Sequence, residues 1–263
     1  GNGTGAPHLS VDDAVAAAAE RIQKAVAEHG AGAVAVLTGA HLTNEELFGL
    51  AALAREAIGT PHVDAVVPLG PADDFLIKAE KAANARGARE VGVAPGAGGH
   101  AAEAILDACA AGEVKLLYVV GSGELLRSFP EDRVGAALEK VETLIVQDAN
   151  ASPLTGRAAV VLPGLTWAEK DGSFTNHAGR VQRIRKAVEP VAGLVSDGET
   201  FQRLSARLRG VAATPFDPRR VLAEVAAAVP AYSGLTLEKL GSRGAVPGEQ
   251  VAVAGEAPAP AGA

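Results

Sequence analysis

Val114-Lys-Leu-Leu-Tyr-Val-Val120 runs directly into Gly121-Ser-Gly123, and Thr143-Leu-Ile-Val-Gln147 runs directly into Asp148. Both runs are nearly all apolar and too short for a helix, as expected of parallel strands buried on both faces. Between them, Arg133 to Lys140 has helical spacing. Ala159-Val-Val-Leu162, stopped by Pro163, repeats the strand pattern. Strand, helix, strand with short connections predicts a βαβ unit and an α/β fold.

Upstream the same alternation continues. Ser10-Val-Asp-Asp is an N-cap with acidic residues in the first turn, and Val15, Ala18, Ile22 and Val26 follow at helical spacing up to His29-Gly30. Val34 to Leu37 reads as a strand, and Thr43-Asn-Glu-Glu46 is a capping box opening a helix to Ile58-Gly59. A Pro/Gly-punctuated link spans Pro61 to Pro71. Phe75 to Lys81 is expected to be helical, Val91 to Val93 extended, Pro95 to Gly99 a loop and Ala101 to Ala111 a helix. Downstream, Lys170-Asp-Gly172 is expected to turn, Arg180 to Lys186 is basic, and helices are expected at Glu199 to Leu208 and Pro218 to Val229. From about Ala245 the chain is Pro, Ala and Gly with little to bury, the composition of a disordered tail. The chain thus divides into a first α/β segment (1–70), a second carrying the βαβ unit (71–165), a third with a signature segment and helices (166–244), and the tail (245–263).

The composition is that of a soluble, cytoplasmic globular protein, 48% hydrophobic and 21% charged, with a net charge of −7. That balance argues against nucleic-acid and anionic-membrane partners, because nothing neutralises their phosphates. No run reaches transmembrane length. The one cysteine, Cys109, forms no internal disulfide and cannot hold an iron–sulfur cluster. His8, His29, His41, His62, His100 and His177 are scattered without metal-ligand spacing. The absence of Met and the start at Gly1 read as a fragment or processed chain, or as chance in an Ala/Gly-rich sequence.

An open α/β sheet places ligands at the carboxyl ends of its strands. Gly121 and Gly123 stand at such an end, but Leu126 breaks the full glycine pattern and no helix start is obvious after them, so a plain turn competes with a ligand loop. Gln147 and Asp148 end the next strand, where Asp148 suits either a ribose or guanine contact or a cap of the following turn. Thr155 carries the same ambiguity. Glu169, Asp171, His177 and Arg180 crowd one segment without any nucleophile–base pairing, and a hairpin with solvated charges is the plainer reading.

That segment is also distinctive as a whole. Val160-Val-Leu-Pro163, Trp167-Ala-Glu-Lys-Asp-Gly-Ser-Phe-Thr-Asn176 and Gly179-Arg-Val-Gln182 resemble the C-terminal signature of molybdopterin oxidoreductases. Asn84-Ala-Arg-Gly87, Gly112 to Gly121, Val229 to Gly234 and Leu240 to Gly244 are similar to further family elements in the same order. The resemblance implies Rossmann-like parallel sheets of the formate dehydrogenase and DMSO reductase type. In catalytic members this body holds a molybdenum or tungsten guanine-dinucleotide cofactor. Carried over, the cofactor-binding positions are Gly121, Ser122, Gly123, Glu124, Gln147, Asp148, Thr155, Asn176, Arg180 and Gln182.

Several departures accompany the likeness. Gly121-Ser-Gly-Glu124 replaces a Gly-Glu-Asn or Gly-Glu-Asp turn, Ala159 stands where Asp usually precedes Val-Val-Leu-Pro, and about twenty residues replace a long stretch between Asp64 and Asn84. No metal-ligating Cys or Ser is recognised upstream. These losses resemble the C-terminal region of the large subunit of NADH–quinone oxidoreductase (complex I), as does Asp73-Asp-Phe-Leu-Ile77. That resemblance implies an oxidoreductase subunit not catalytic alone, with no cofactor, metal or catalytic residue of its own. Its iron–sulfur clusters would lie in an N-terminal region or partner chain. Its partners would be other peripheral-arm subunits, and its place peripheral to the inner membrane without direct insertion. The alternative is part of a formate-dehydrogenase-like enzyme that contributes to molybdopterin guanine dinucleotide binding.

Overall fold

The computed structural model describes residues 9–246. Helix α1 (Val11–His29) is capped by the Ser10 side chain and ends at Gly30, and β1 (Val34–Gly39) follows. Helix α2 (Asn44–Ala52) starts on the complete Thr43/Glu46 capping box, and widened turns over Leu53–Ile58 carry it to Gly59 at φ +86°. Strand β2 (Val63–Val66) comes next, then α3 (Ala85–Glu90), α4 (Ala102–Ala111), β3 (Leu116–Val120), α5 (Ser122–Ser128), α6 (Glu131–Glu139), β4 (Thr143–Asp148) and β5 (Val160–Pro163). A hairpin of β6 (Gly172–Thr175) and β7 (Val181–Ile184) precedes α7 (Asp197–Arg209) and α8 (Pro218–Ala228).

The first five strands form one parallel sheet in the order β2-β1-β3-β4-β5. Segments 1–70 and 71–165 therefore contribute to the same sheet. Because side chains alternate along a strand, each central strand feeds two cores. Val34, Val36, Tyr118 and Ile145 pack with α1, α2, α7 and α8 through residues such as Ile22, Leu50, Phe201 and Val225. Ala35, Leu37, Leu117 and Val146 pack on the other face with α4 and α6 through Ile105, Cys109 and Val134. Among the described residues no helix is long and apolar enough to cross a membrane.

Several local expectations are corrected. Phe75 to Lys81 is not helical: Asp73 N donates to Ile77 O at 2.9 Å, the reverse of the helical direction. Gly70 N and Lys81 N donate across the loop to Ala79 O and Pro68 O, so the segment folds back on itself, while the Asp73 carboxylate accepts from the amides of Phe75, Leu76 and Ile77. Val91 to Val93 is no strand, because it closes α3 with Gly92 at φ +102°. The Pro61–Pro71 link contains β2, whose four residues are too few for periodicity to show. Lys170 is extended (φ −140°, ψ 157°), with no turn before β6; the reversal comes later, between Thr175 and Val181. A helix does begin immediately after Gly121. Ala245 exchanges two backbone hydrogen bonds with Val181, at 2.8 and 2.9 Å, so it is not part of a loose tail. The remainder of that expected tail, 247–263, lies outside the described residues.

Candidate functional site

The chain leaves β1 for β2 on one side and later returns to β3 on the other, so the sheet's topological switch point lies between β1 and β3. Two glycines face each other across that crevice. A Cβ on Gly121, at φ +72°, would collide with the His41 imidazole; one on Gly39 would meet the Glu124 carboxyl carbon at 2.6 Å and His41 Nδ1 at 2.6 Å. His41 and Glu124 thus occupy the space that the glycines leave. Their closest atoms, His41 Nδ1 and Glu124 Oε2, are 3.4 Å apart, an ion pair rather than an aligned hydrogen bond. Burial opposes charge on His41, but Glu124 outweighs it and holds the imidazole pKa above its ordinary value. Burial likewise works against the Glu124 carboxylate, and His41 overcomes it to hold that pKa low.

The neighbouring polar groups are also engaged from within. Asp148 Oδ2 accepts from Ser122 N at 2.8 Å and Ser122 Oγ at 2.6 Å, while Oδ1 accepts from Asn150 N at 3.1 Å. Asp148 therefore ties the glycine turn and caps its own loop. Gln147 is fully buried: its Oε1 accepts from the Tyr118 hydroxyl, and its Nε2 donates to Asp197 Oδ1 at 2.8 Å. Thr155 folds back on Ser152, accepting its amide at 2.9 Å and donating to its carbonyl at 2.8 Å. Gly123 alone of these positions has open space where a Cβ would stand. The Ser122 amide is taken by Asp148, so a guanosine end would have to displace that side chain to reach it.

The signature segment forms a second polar assembly. Lys170 Nζ lies 2.8 Å from Asp197 Oδ2 and 2.9 Å from Glu46 Oε2, with all three side chains buried. Burial disfavours the Lys170 ammonium, yet the two carboxylates hold its pKa well above the ordinary value. Ser173 donates from N and Oγ to Glu45, at 2.9 and 2.7 Å. Asn44 Nδ2 donates to Ser173 Oγ and Thr175 Oγ1, both at 3.0 Å, and Thr175 Oγ1 also meets the Tyr232 hydroxyl at 2.6 Å. This zipper joins the start of α2 to β6. Asn176 and Arg180 sit at the hairpin tip and Gln182 on β7 beside it: Asn176 Oδ1 accepts from the amides of Ala178 and Arg180 at 3.0 Å, and its Nδ2 reaches Gln182 Oε1 at 3.4 Å. Glu169 caps Thr166, and Asp171 lies 3.7 Å from Arg183.

His41, Glu45, Glu46, Lys170 and Asp197 were absent from the candidate site residues that the sequence singled out. His41 had a usable signal, since Gly39-Ala-His41 follows its strand as Gly121 follows the next. Among the described residues no group of three or more His, Cys, Asp and Glu side chains is placed to hold a metal. The Cys109 thiol is buried, which pushes its pKa up to about 12.

Residues 75–207, half of the chain, match the family model described as molybdopterin oxidoreductase. The chain belongs to the molybdopterin oxidoreductase family. Among curated proteins, the chain is 41% identical to an NADH-quinone oxidoreductase subunit of Rhizobium meliloti over 144 residues, 54% of this chain and 17% of that protein. It is 42% identical over 142 residues to NADPH-Fe(3+) oxidoreductase subunit alpha of Geobacter sulfurreducens, again 54% of this chain and 17% of the relative. F420-dependent formate dehydrogenase 2 subunit alpha of Methanococcus maripaludis is 35% identical over 133 residues, 50% of this chain and 20% of the relative. The chain thus spans a fifth or less of the length of these relatives.

Proposed function

We propose that this chain is a structural part of the large subunit of a respiratory NADH–quinone oxidoreductase of the complex I type, with no redox centre of its own. It supports a cluster-bearing region or partner chain within the peripheral arm, and the complex holds it against the inner membrane. The observation carrying this reading is the filled switch point. His41 and Glu124 pack where the two strand-end glycines make room, and Asp148 is turned inward onto Ser122. The single buried cysteine and the likeness to the Rhizobium meliloti NADH-quinone oxidoreductase subunit add support.

Metal and nucleotide analysis of the purified parent protein tests the proposal. The expected result is molybdenum and tungsten far below one atom per chain and no guanine nucleotide released on denaturation. Stoichiometric molybdenum or tungsten would overturn it. The alternative, a formate-dehydrogenase-like part, draws on the 35% identity to a formate dehydrogenase subunit and on the open face of Gly123. It requires guanine-dinucleotide binding that weakens in Asp148→Ala.

A further inference from the structure

Residues 94–102 lead into α4 past the start of β2, held by hydrogen bonds to Arg55, Pro61, His62 and Asp64. Arg55 Nη2 donates to Ala94 O at 2.7 Å, Gly96 N to Pro61 O at 3.0 Å, His100 N to His62 Nδ1 at 3.1 Å, and Ala102 N to Asp64 Oδ2 at 2.7 Å. Apolar burial adds little in the middle of the stretch, because Pro95, Ala97 and Gly98 are exposed. The polar ties therefore carry the attachment. The His100 ring also lies flat on the His62 ring, with centroids 4.6 Å apart and planes 16° from parallel. His62 itself is only 8% exposed.

One of these ties is conditional on charge. A neutral imidazole can offer Nδ1 as an acceptor, whereas an imidazolium carries N–H on both nitrogens and cannot. Protonating His62 sets two donors against each other, its own Nδ1–H and the His100 amide. It also puts a charge against a second titratable ring. We propose that His62 and His100 form an acid-sensitive clasp, which holds residues 95–101 beside β2 while His62 is neutral and releases them when it is protonated. Burial, and then the neighbouring His100, hold the His62 pKa below its ordinary 6.5. A folded-state pKa below the unfolded one means that the clasp contributes fully above pH 6.5 and is lost as pH falls through the folded value. Among the described residues, His100 is the group whose charge acts on His62, and no carboxylate offsets it. Asp64, two residues along, is occupied by the amides of Ala102 and Ala65, with the Arg89 charge acting on it. Arg55, on the widened turns after α2, and Glu103, in the first turn of α4, are engaged by Ala94 O and by Arg133. Burial raises the Asp64 pKa, so its contribution to stability grows on acidification, the opposite sign to the clasp.

Hydrogen–deuterium exchange of the parent protein from about pH 8 to about pH 5, corrected for the intrinsic exchange rate, tests the clasp. Protection of the peptide covering 95–101 should fall roughly threefold or more as pH drops below 6.5. The 114–120 peptide of the central sheet should keep its protection over the same range. His62→Asn presents an amide oxygen near the Nδ1 position and does not titrate, so residues 95–101 should stay protected throughout. His100→Phe keeps the backbone donor and a ring for the stack while removing the second titratable group, and the pH dependence should persist. Protection indifferent to pH, an equal fall at 114–120, or a fall that survives in His62→Asn would each overturn the proposal. So would loss of the pH dependence in His100→Phe, which would assign the proton to His100.

Discussion

Lys170 shows how one side chain can decide whether two helices and a strand stay together. Its ammonium is the counter-charge for Glu46 at the start of α2 and for Asp197 at the start of α7. Removing it leaves two buried carboxylates unpaired, which typically costs about 3–5 kcal/mol. Lys170→Met should therefore lower the urea midpoint sharply, whereas Asp171→Ala, at a half-exposed and loosely paired position, should change it little. Nothing local announces this role. Lys-Asp-Gly has the composition of a solvated turn, and only the distant Glu46 and Asp197 turn the lysine inward.

Two further residues give pH-dependent tests. Burial raises the Glu45 pKa from 4.5 to about 7, with Ser173 opposing the shift. A folded-state pKa above the unfolded one means that proton uptake favours folding. This contribution is complete below pH 4.5 and lost as pH rises through about 7. The stability difference between wild type and Glu45→Gln, from denaturant titrations, should fall by on the order of 3 kcal/mol across that range and then level off. For the switch-point pair the signs are opposite. The raised His41 pKa contributes stability below 6.5 that is lost at higher pH, and the lowered Glu124 pKa contributes above 4.5 what is lost at lower pH. Glu124→Gln should thus destabilise most between pH 4.5 and 6.5, by about 1 kcal/mol given its partly exposed partner. A uniform effect from pH 4 to 9 would contradict the ion pair.

At the scale of elements, legibility followed period and length. The runs around Val114–Val120 and Thr143–Gln147 became β3 and β4 because an all-apolar strand has only one comfortable place, the middle of a covered sheet. The Ser10 cap and the Thr43 box appear as full hydrogen-bonded caps. Phe75–Lys81 misled because an apolar run after two aspartates reads as a helix start, whereas Asp73 closes a tight loop with Ile77, its amide donating to the Ile77 carbonyl. The β6–β7 hairpin depends on Asn84, whose Nδ2 donates to Leu42 O at 2.9 Å and whose Oδ1 accepts from Thr175 N at 2.7 Å. Asn84→Ala leaves both groups unpaired in the interior and should cost about 2 kcal/mol. Amide exchange at Thr175 should accelerate more than exchange at Leu117 in the central sheet; equal acceleration would mean that Asn84 holds the whole fold and not the hairpin.

At the scale of the molecule, the order β2-β1-β3-β4-β5 places a switch point where the glycine-ended strands suggested a ligand edge. The α/β class, the edge and the nearness of Asp148 to the Gly121 turn were legible, because they follow from strand ends in register. What fills the edge was not legible. His41 comes from a different strand end, and only the sheet order sets it against Gly121. Asn176, Arg180 and Gln182 lie on the hairpin, outside the hydrogen-bonded ring of Ser122 and Asp148.

This edge is closed by the chain's own residues, His41, Glu124 and Asp148. Calorimetric titration of the purified chain with guanosine diphosphate, near pH 6 where His41 and Glu124 are both charged, tests it most directly. The predicted result is no saturable heat, with Asp148→Ala equally silent. Saturable micromolar binding that is abolished by Asp148→Ala would contradict it.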